Sequence, residues 1–336
     1  MNLTISTLQP IHGGPGPAGP ARHDFSVNSH AAGPYAGALA AVQAADATRY
    51  PDASYHALRQ ALAARHGVLP ERVLLAASAS EFIQRISAVG ARLAPGPVAV
   101  PAQAYGDYAL AARAHGRQLS AENDSRATLR WVADPSSPLG QDAPPLPFHL
   151  PSSHMNDAAT VLDAVYAPLR LSGSSAWAAD SLASVFVLHS PNKALGLCGV
   201  RGAYIVAPAD TRWQDWLQAL QAAAPSWPLG AQGVALLQAW CSEDAQAWLQ
   251  ASLQPLRQWK AAQQAALQAR GIELAPSHTP FFCVRPRQTW QAPVFAAHGV
   301  QLRDASSFGL PGWWRLNTLT PVAQAALLHA IDSHPA

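Results

Sequence analysis

Two apolar runs with the character of β-strands flank a glycine-rich turn near the middle of the chain, and they constrain the fold more than any other feature. The runs cover residues 184–189 and 203–207, and Lys193 lies on the turn between them. Short apolar runs bounded by turn residues are typical of buried strands. Lys193 is therefore predicted to lie between two buried strands, away from water. Such a lysine suits covalent chemistry with a carbonyl group, because desolvation lowers the pKa of its amine.

Lys193 is one of only two lysines among the 22 lysine and arginine residues of the chain. The other, Lys260, lies in a run rich in alanine and glutamine that has helical character. We expect Lys260 on a solvated helix face. Lys193 is thus the candidate for covalent chemistry.

The segment around Lys193, with the sequence SPNKALGLCGVR from residue 190 to 201, resembles the lysine segment of the pyridoxal-phosphate (PLP) enzymes of aminotransferase fold type I. The resemblance implies an α/β fold with a mostly parallel central sheet flanked by helices, plus a small α+β domain. It also implies PLP as the cofactor, held by Lys193. Ser190 and Arg201 would then contact the cofactor phosphate, and Asn192 stands where a second serine is common.

Composition changes along the chain and divides it into three expected parts. Residues 1–45 include an arm rich in proline and glycine, which we expect to join the small domain. Residues 46–228 are expected to form the large PLP-binding domain. Residues 229–336 are expected to form a connecting helix, within a helical stretch at 230–271, and the small C-terminal domain. Residues 141–156 are expected to form a loop.

An apolar strand at 72–76 leads through serines into a helix, and this turn is a candidate phosphate site. Serines before a helix are typical N-caps, and a helix N-terminus binds phosphate well, although capping alone would explain them. The resemblance assigns Ala79 and Ser80 to the cofactor phosphate. It also assigns Tyr105 to stacking on the pyridine ring, while Ser137 stands where family members carry an asparagine that donates to the phenolic oxygen.

Asp163 ends an apolar strand, which is where an open α/β sheet places ligand contacts. The resemblance gives Asp163 the pyridine nitrogen of PLP and Tyr166 the phenolic oxygen. A carboxylate beside that nitrogen keeps it protonated, and the protonated ring withdraws electrons from the substrate. The alternative is that Asp163 only caps the following helix.

Two segments indicate a subfamily. His12 opens an HGG motif that precedes DFSVN at residues 24–28, and RDASSFGL at 303–310 precedes Arg315. Both resemble the threonine-phosphate decarboxylases of cobalamin biosynthesis. The resemblance makes Arg315 the clamp on the substrate α-carboxylate, with a structural ion pair as the alternative. We take Asn28 and Arg303 as further candidate substrate-binding residues, without a motif that assigns them.

Tyr50 begins a Tyr-Pro-Asp motif whose tyrosine, in enzymes that this chain resembles, reaches across a dimer interface to the cofactor phosphate. The resemblance therefore implies a homodimer with Tyr50 contributed in trans. The charged fraction of only 12% also favours a large subunit interface.

The resemblance implies first a carbon–carbon lyase that decarboxylates L-threonine O-3-phosphate to 1-amino-2-propanol phosphate with PLP. A histidinol-phosphate-type or other class I/II aminotransferase is the alternative, because it uses the same residues and breaks a different bond at the α-carbon. A catalytically degenerate PLP-fold protein with a binding or regulatory role is the third possibility, supported only by Ser137.

Composition argues against several other classes of protein. The net charge of +2 comes without a basic run, so nucleic acid is not an expected partner. Three cysteines without paired spacing and histidines without a metal-binding spacing predict neither a disulfide framework nor a metal site. No apolar stretch reaches the length of a membrane span, and the N-terminus lacks a signal-peptide pattern, so we expect a cytoplasmic protein that is not bound to a membrane.

Overall fold

The computed structural model describes residues 12–16, 19–143 and 158–333. Most of the loop expected at 141–156 lies outside the described residues. The strands are β1 (His23–Asp24), β2 (Val73–Ala76), β3 (Val98–Ala99), β4 (Leu119–Ser120), β5 (Leu129–Ala133), β6 (Ala159–Asp163), β7 (Phe186–His189), β8 (Ala203–Val206), β9 (Glu273–Leu274), β10 (Phe282–Arg285), β11 (Val300–Gln301), β12 (Arg303–Asp304) and β13 (Trp314–Leu316). The helices are α1 (Ala36–Ala44), α2 (His56–His66), α3 (Ala79–Leu93), α4 (Gly106–Ala114), α5 (Ala179–Ala183), α6 (Gln214–Ala222), α7 (Ala231–Trp240), α8 (Glu243–Gln268), α9 (Ala292–Ala297) and α10 (Pro321–Asp332).

Seven strands form the central sheet in the order β2-β8-β7-β6-β5-β3-β4. Only β8 runs against its neighbours, being antiparallel to both β2 and β7. The strands are almost entirely buried, in keeping with their continuous apolar sequences. The prediction of an α/β fold with a mostly parallel central sheet flanked by helices is confirmed.

Helices cover both faces of this sheet. One apolar cluster joins the sheet to α2, α7 and the first half of α8. A second cluster joins the other face to α3, α4 and α6. The parallel strands therefore end at one edge, enclosed above and below, where loops can form a site.

The helix α3 begins where the serine pattern predicts. The side chain of Ser78 accepts a hydrogen bond from the backbone N–H of Glu81 at 3.0 Å, as an N-cap does. Its buried face carries Phe82, Ile83 and Ile86, which pack in the second apolar cluster. The N-terminus of α3 is thus fixed at the edge of the sheet.

A four-stranded antiparallel sheet in the order β12-β13-β10-β9 forms the smaller layer of the protein. Its core contains Phe25, which follows β1, and β1 pairs with β11 in parallel. The arm therefore crosses to this sheet before the chain enters α1.

Two details differ from the sequence predictions. The helical stretch expected at 230–271 is two helices, because Ser242 caps α8 by accepting a hydrogen bond from the N–H of Ala245. The prediction of a solvated face for Lys260 is wrong: Lys260 is buried where α8 meets the smaller sheet. Its ammonium donates to the carbonyl oxygen of Ser277 at 2.6 Å and lies over the ring of Phe282. Within the described ranges, no helix has both the length and the apolarity that a membrane crossing requires.

Candidate active site

The ends of β5, β6 and β7, the N-terminus of α3, the arm and the smaller sheet enclose a cavity of about 940 Å³. Thirteen of the fourteen residues predicted for the site line it: Asn28, Ala79, Ser80, Tyr105, Ser137, Asp163, Tyr166, Ser190, Asn192, Lys193, Arg201, Arg303 and Arg315. The exception is Tyr50.

Lys193 and Asp163 reach this cavity from neighbouring strands. Asp163 is the last residue of β6 and pairs in register with Leu188 of β7, and Lys193 lies on the turn that follows β7. The Lys193 ammonium lies 5.7 Å from the ring centre of Tyr166. Lys193 is half-buried, so it is less shielded from water than the sequence predicts. The two groups face one space that is open to a ligand.

The carboxyl group of Asp163 is held by two donors. The hydroxyl of Tyr108 donates to one oxygen at 2.5 Å, and the N–H of Val165 donates to the other at 3.0 Å. Burial raises the pKa of Asp163, while these two donors and the charge of Lys193 oppose the rise. The helix-capping alternative for Asp163 does not hold, because the next helical turn, Ala167–Leu169, has Tyr166 at its N-cap position.

Tyr108 is a site residue that the sequence analysis missed. Its ring stacks on Trp131 with centroids 4.3 Å apart, and burial raises the pKa of its hydroxyl well above the usual value, so it stays a donor. Tyr108 lies one helical turn after Tyr105, and the two rings meet edge to face at 5.8 Å. This spacing of three residues on α4 was the available signal.

One end of the cavity suits an anion. Ala79 and Ser80 form the first turn of α3, where backbone N–H groups and the helix dipole favour negative charge. The Ser80 hydroxyl lies 3.2 Å from that of Tyr105. Arg201 is exposed to the cavity and has no hydrogen-bond or ion-pair partner among the described residues. Its charge is therefore available to a ligand.

Asn192 lines the same end of the cavity, but its amide is engaged within the turn. Its nitrogen donates to the carbonyl oxygens of Cys198 and Val200 at 3.3 and 3.4 Å, and its oxygen accepts from the hydroxyl of Ser190 at 3.0 Å. Asn192 therefore stabilises the lysine turn. The Ser190 oxygen can still accept or re-orient toward a ligand.

The opposite wall contains Arg315 and Asn28. Arg315 is buried, donates from one terminal nitrogen to the carbonyl oxygen of Ser26 at 2.6 Å, and forms no ion pair with any described carboxylate. Burial lowers the pKa of Arg315. The Asn28 nitrogen donates to the hydroxyl of Tyr166 at 3.2 Å.

Two buried polar atoms on this wall, Nε of Arg315 and Oδ1 of Asn28, lack a partner within the described part of the chain. Buried polar groups are normally paired, so unpaired atoms on side chains that line a cavity mark this wall as a candidate ligand position.

Arg303 and Phe308 complete this wall. Arg303 donates to the Ser307 hydroxyl at 2.7 Å and to the carbonyl oxygen of Asp304 at 2.6 Å. Its guanidinium lies 4.8 Å from the ring centre of Phe308, and that of Arg315 lies 5.5 Å from the same ring. Phe308 thus spaces two cations apart, a role that its sequence position did not indicate.

Ser137 and His12 lie on the cavity wall as well. Ser137 is buried at the carboxyl end of β5, where the expected asparagine would stand. His12 lies at the mouth, with its ring 5.8 Å from that of Tyr105 and its Nε2 3.7 Å from a carboxylate oxygen of Asp107. The arm therefore reaches the site.

Tyr50 lies away from this cavity, on the surface. Its side chain is 78% exposed and stacks on Trp227, whose exposure is 42%, with ring centroids 4.4 Å apart. Trp227 also donates to the carbonyl oxygen of Pro51 at 3.1 Å. Tyr50 therefore contributes nothing to the cavity of its own chain.

The sheet and the cavity together define a PLP-dependent enzyme of fold type I. A family model described as aminotransferase class I and II matches residues 28–332, and the chain belongs to that family. Histidinol-phosphate aminotransferase 1 of Dechloromonas aromatica is 27% identical over 309 residues, which cover 84% of this chain and 81% of the relative.

Two solved structures are similar in fold. Histidinol-phosphate aminotransferase from Sinorhizobium meliloti, solved with pyridoxal-5'-phosphate, has a TM-score of 0.71 at 21% identity, covering 91% of this chain and 88% of the other. L-threonine-O-3-phosphate decarboxylase from Porphyromonas gingivalis has a TM-score of 0.74 at 20% identity, covering 92% and 98%. At these identities the two likenesses show the fold alone.

Proposed function

We propose that this protein is a PLP-dependent aminotransferase of the histidinol-phosphate type, acting on an amino compound that carries an anionic group. The observation that carries the proposal is the meeting of Lys193, Asp163, Tyr166 and Arg201 at one cavity. The relatives named histidinol-phosphate aminotransferase favour this activity over the decarboxylation that the sequence analysis put first.

The residues present fit PLP. The first turn of α3, Ser190 and Arg201 would hold its phosphate, and Asp163 would hold the ring nitrogen at the other end. Tyr105 would cover one ring face, and burial raises the pKa of its hydroxyl, which keeps it uncharged. Bound PLP supplies an electron sink for the bond that breaks at the α-carbon.

The chain's own groups would do the remaining work. Lys193 would anchor the cofactor and carry a proton to and from the α-carbon. Tyr108 would keep the Asp163 carboxyl group oriented and ionised against its desolvation. Tyr166, held by Asn28, and Ser137 would donate to the phenolic oxygen, with a shorter reach from serine than from asparagine.

Charge at the cavity supports an anionic substrate. Among the described residues that line it, four arginines and Lys193 stand against one carboxylate, that of Asp163. With Arg201 assigned to the cofactor phosphate and Arg315 to the α-carboxylate or its equivalent, Arg303 and Arg113 remain on the cavity wall. Arginines suit phosphate and carboxylate because their donors are paired and planar.

A homodimer would complete the site. Tyr50 and Trp227 form an exposed aromatic pair beside a surface groove between α1 and α7 that is lined mainly by small apolar residues. Apolar surface of this kind is typical of subunit interfaces. Tyr50 of one subunit would then contact the cofactor phosphate of the other. A measurement of molecular mass in solution should give the value of a dimer. Tyr50→Phe should weaken PLP binding and leave the dimer intact.

Chemical trapping tests the cofactor role of Lys193. The protein should develop a visible absorbance band with PLP, and reduction with borohydride followed by peptide mapping should place the adduct on Lys193. Lys260 is an internal competitor, because burial lowers its pKa to about 8. An adduct on Lys260, or an unchanged band in Lys193→Ala, would contradict the assignment. A colourless wild-type protein would favour the non-enzymatic alternative.

Threonine-phosphate decarboxylase is the second candidate function, favoured by the HGG and DFSVN segments. Turnover separates the two. The aminotransferase requires a keto-acid acceptor, and transfer of the amino group of histidinol phosphate to that acceptor is the activity to measure. Carbon dioxide released from threonine phosphate without an acceptor would establish the decarboxylase instead.

A further inference from the structure

Residues 26–35, here termed the strap, connect the cavity wall that contains Arg315 with the turn that carries Lys193. At one end, Arg315 donates to the carbonyl oxygen of Ser26 at 2.6 Å, and Asn317 donates from its side chain to the carbonyl oxygen of Ser29 at 2.8 Å. The strap is therefore attached to β13 and the residue that follows it.

At its other end the strap pairs with the lysine turn through backbone atoms. The N–H of His30 donates to the carbonyl oxygen of Lys193 at 3.0 Å, and the N–H of Tyr35 donates to that of Leu195 at 3.0 Å. Gly196 approaches so closely that an added Cβ would lie 2.7 Å from the carbonyl oxygen of Gly33. The lysine turn and the strap thus fit one another over several residues.

The side chain of His30 stabilises this pairing by contacts with α8. His30 is 3% exposed, and its Nδ1 accepts a hydrogen bond from the N–H of Ala32 at 3.2 Å. Nε2 must then carry the proton and donate to the Ser252 hydroxyl at 2.8 Å, because that hydroxyl itself donates to the carbonyl oxygen of Leu249 at 2.7 Å. The ring also packs on Trp248 at 4.8 Å.

Every hydrogen-bonding atom of the His30 ring is therefore used, and the partners outside the strap belong to α8. Burial lowers the pKa of His30 to about 4, so the ring is neutral at neutral pH and keeps this one arrangement. A side chain that is packed and fully paired in this way holds its own backbone in place.

We propose that His30 is a positioning residue for Lys193: it anchors the strap to α8 and so fixes the turn that presents the lysine amine opposite Arg315. The inference rests on the proposed role of Lys193. It adds a residue that touches neither cofactor nor substrate and acts through the backbone of the lysine turn.

Hydrogen exchange of the cofactor-free protein tests the coupling. His30→Ala should accelerate amide exchange about 10-fold in residues 28–36 and in residues 190–200, because both segments lose a shared anchor. Ser252→Ala should do the same more weakly, and the double variant should exceed His30→Ala by little, since the two side chains act as one contact. Leu220→Ala, in the buried face of α6, is the control for general loss of stability.

Trapping of PLP on Lys193 by borohydride gives the second measurement, and its rate should fall about 10-fold in His30→Ala and stay near wild type in Leu220→Ala. The proposal would be overturned if amide exchange in residues 190–200 of His30→Ala were as slow as in the wild type. It would also be overturned if exchange there were accelerated no more than in Leu220→Ala. Should His30→Ala fail to fold, Ser252→Ala decides by the same criteria. A wild-type adduct outside Lys193 would refute the proposed function alone, since the exchange experiment requires no cofactor.

Discussion

Replacing Gly196 by alanine should destabilise the protein far more than the same change at Gly199, three residues further along the lysine turn. Gly196 has a φ of +71°, in the left-handed region, and a Cβ there would lie 2.7 Å from the carbonyl oxygen of Gly33 and 2.9 Å from Cα of Pro34. Gly199 has neither a positive φ nor any atom within 4 Å of such a Cβ. The pair therefore separates conformation and contact from the mere addition of a methyl group.

The expected cost at Gly196 has two parts. A left-handed conformation costs a residue with a Cβ about 1–2 kcal/mol. The contact with Gly33 involves backbone on both sides, so the strap must shift, and shifts forced by overpacking cost about 1–3 kcal/mol. Gly196→Ala should thus lose about 2–5 kcal/mol of unfolding free energy, and Gly199→Ala should stay within about 0.5 kcal/mol of wild type.

Urea unfolding followed by circular dichroism measures both variants on the cofactor-free protein. Gly196→Ala should lower the midpoint with little change in slope, and it should also accelerate amide exchange in the strap, because the hydrogen bond from Tyr35 to Leu195 adjoins the displaced contact. A Gly196→Ala variant as stable as Gly199→Ala would refute the close packing of strap and lysine turn.

Three further predictions concern titratable groups. Tyr108→Phe removes a donor that lowers the pKa of Asp163, so PLP should bind about 10-fold more weakly in an absorbance titration, whereas unchanged binding would refute the role of Tyr108. Burial lowers the pKa of His30 from 6.5 to about 4, so its ring stays neutral in the folded protein while it becomes protonated in the unfolded chain below pH 6.5. The free energy of unfolding should therefore fall by about 1.4 kcal/mol per pH unit, up to about 3 kcal/mol, as pH falls from about 6.5 to 4. Urea unfolding of His30→Asn should show a flatter acid limb than wild type. Burial lowers the pKa of Lys260 from 10.5 to about 8, so the free energy of unfolding should rise by up to about 3 kcal/mol as pH increases from about 8 to 10.5. Urea unfolding at pH 7 and pH 10 should show this rise in the wild type and not in Lys260→Met.

The sequence predicts the parts of the site that lie at strand ends. Lys193 and Asp163 each follow an apolar run, and the parallel sheet brings such ends to one edge, so local pattern and fold class suffice for them. The resemblance to PLP enzymes adds the residues of α3 and Arg201, and all of them line the cavity.

The sequence did not predict which residues surround these side chains in the folded protein. The Ala/Gln-rich run around Lys260 has a weak amphipathic pattern, so nothing local indicates that α8 is covered by the smaller sheet at this position. Tyr108 and His30 act through partners 55 and 222 residues away, Asp163 and Ser252, and such distant pairing follows from tertiary packing alone. Tyr50 remains a prediction about a second subunit.

Pairing between β1 and β11 carries a consequence for synthesis of the chain. His23 pairs with Val300, and the side chain of Phe25 is buried among residues beyond position 260. The ribosome must therefore synthesise most of the chain before residues 23–25 can form these contacts. Contacts this distant in sequence form late. Until then the nascent chain leaves Phe25 without its packing partners, which makes this segment a point where chaperones and proteases can act.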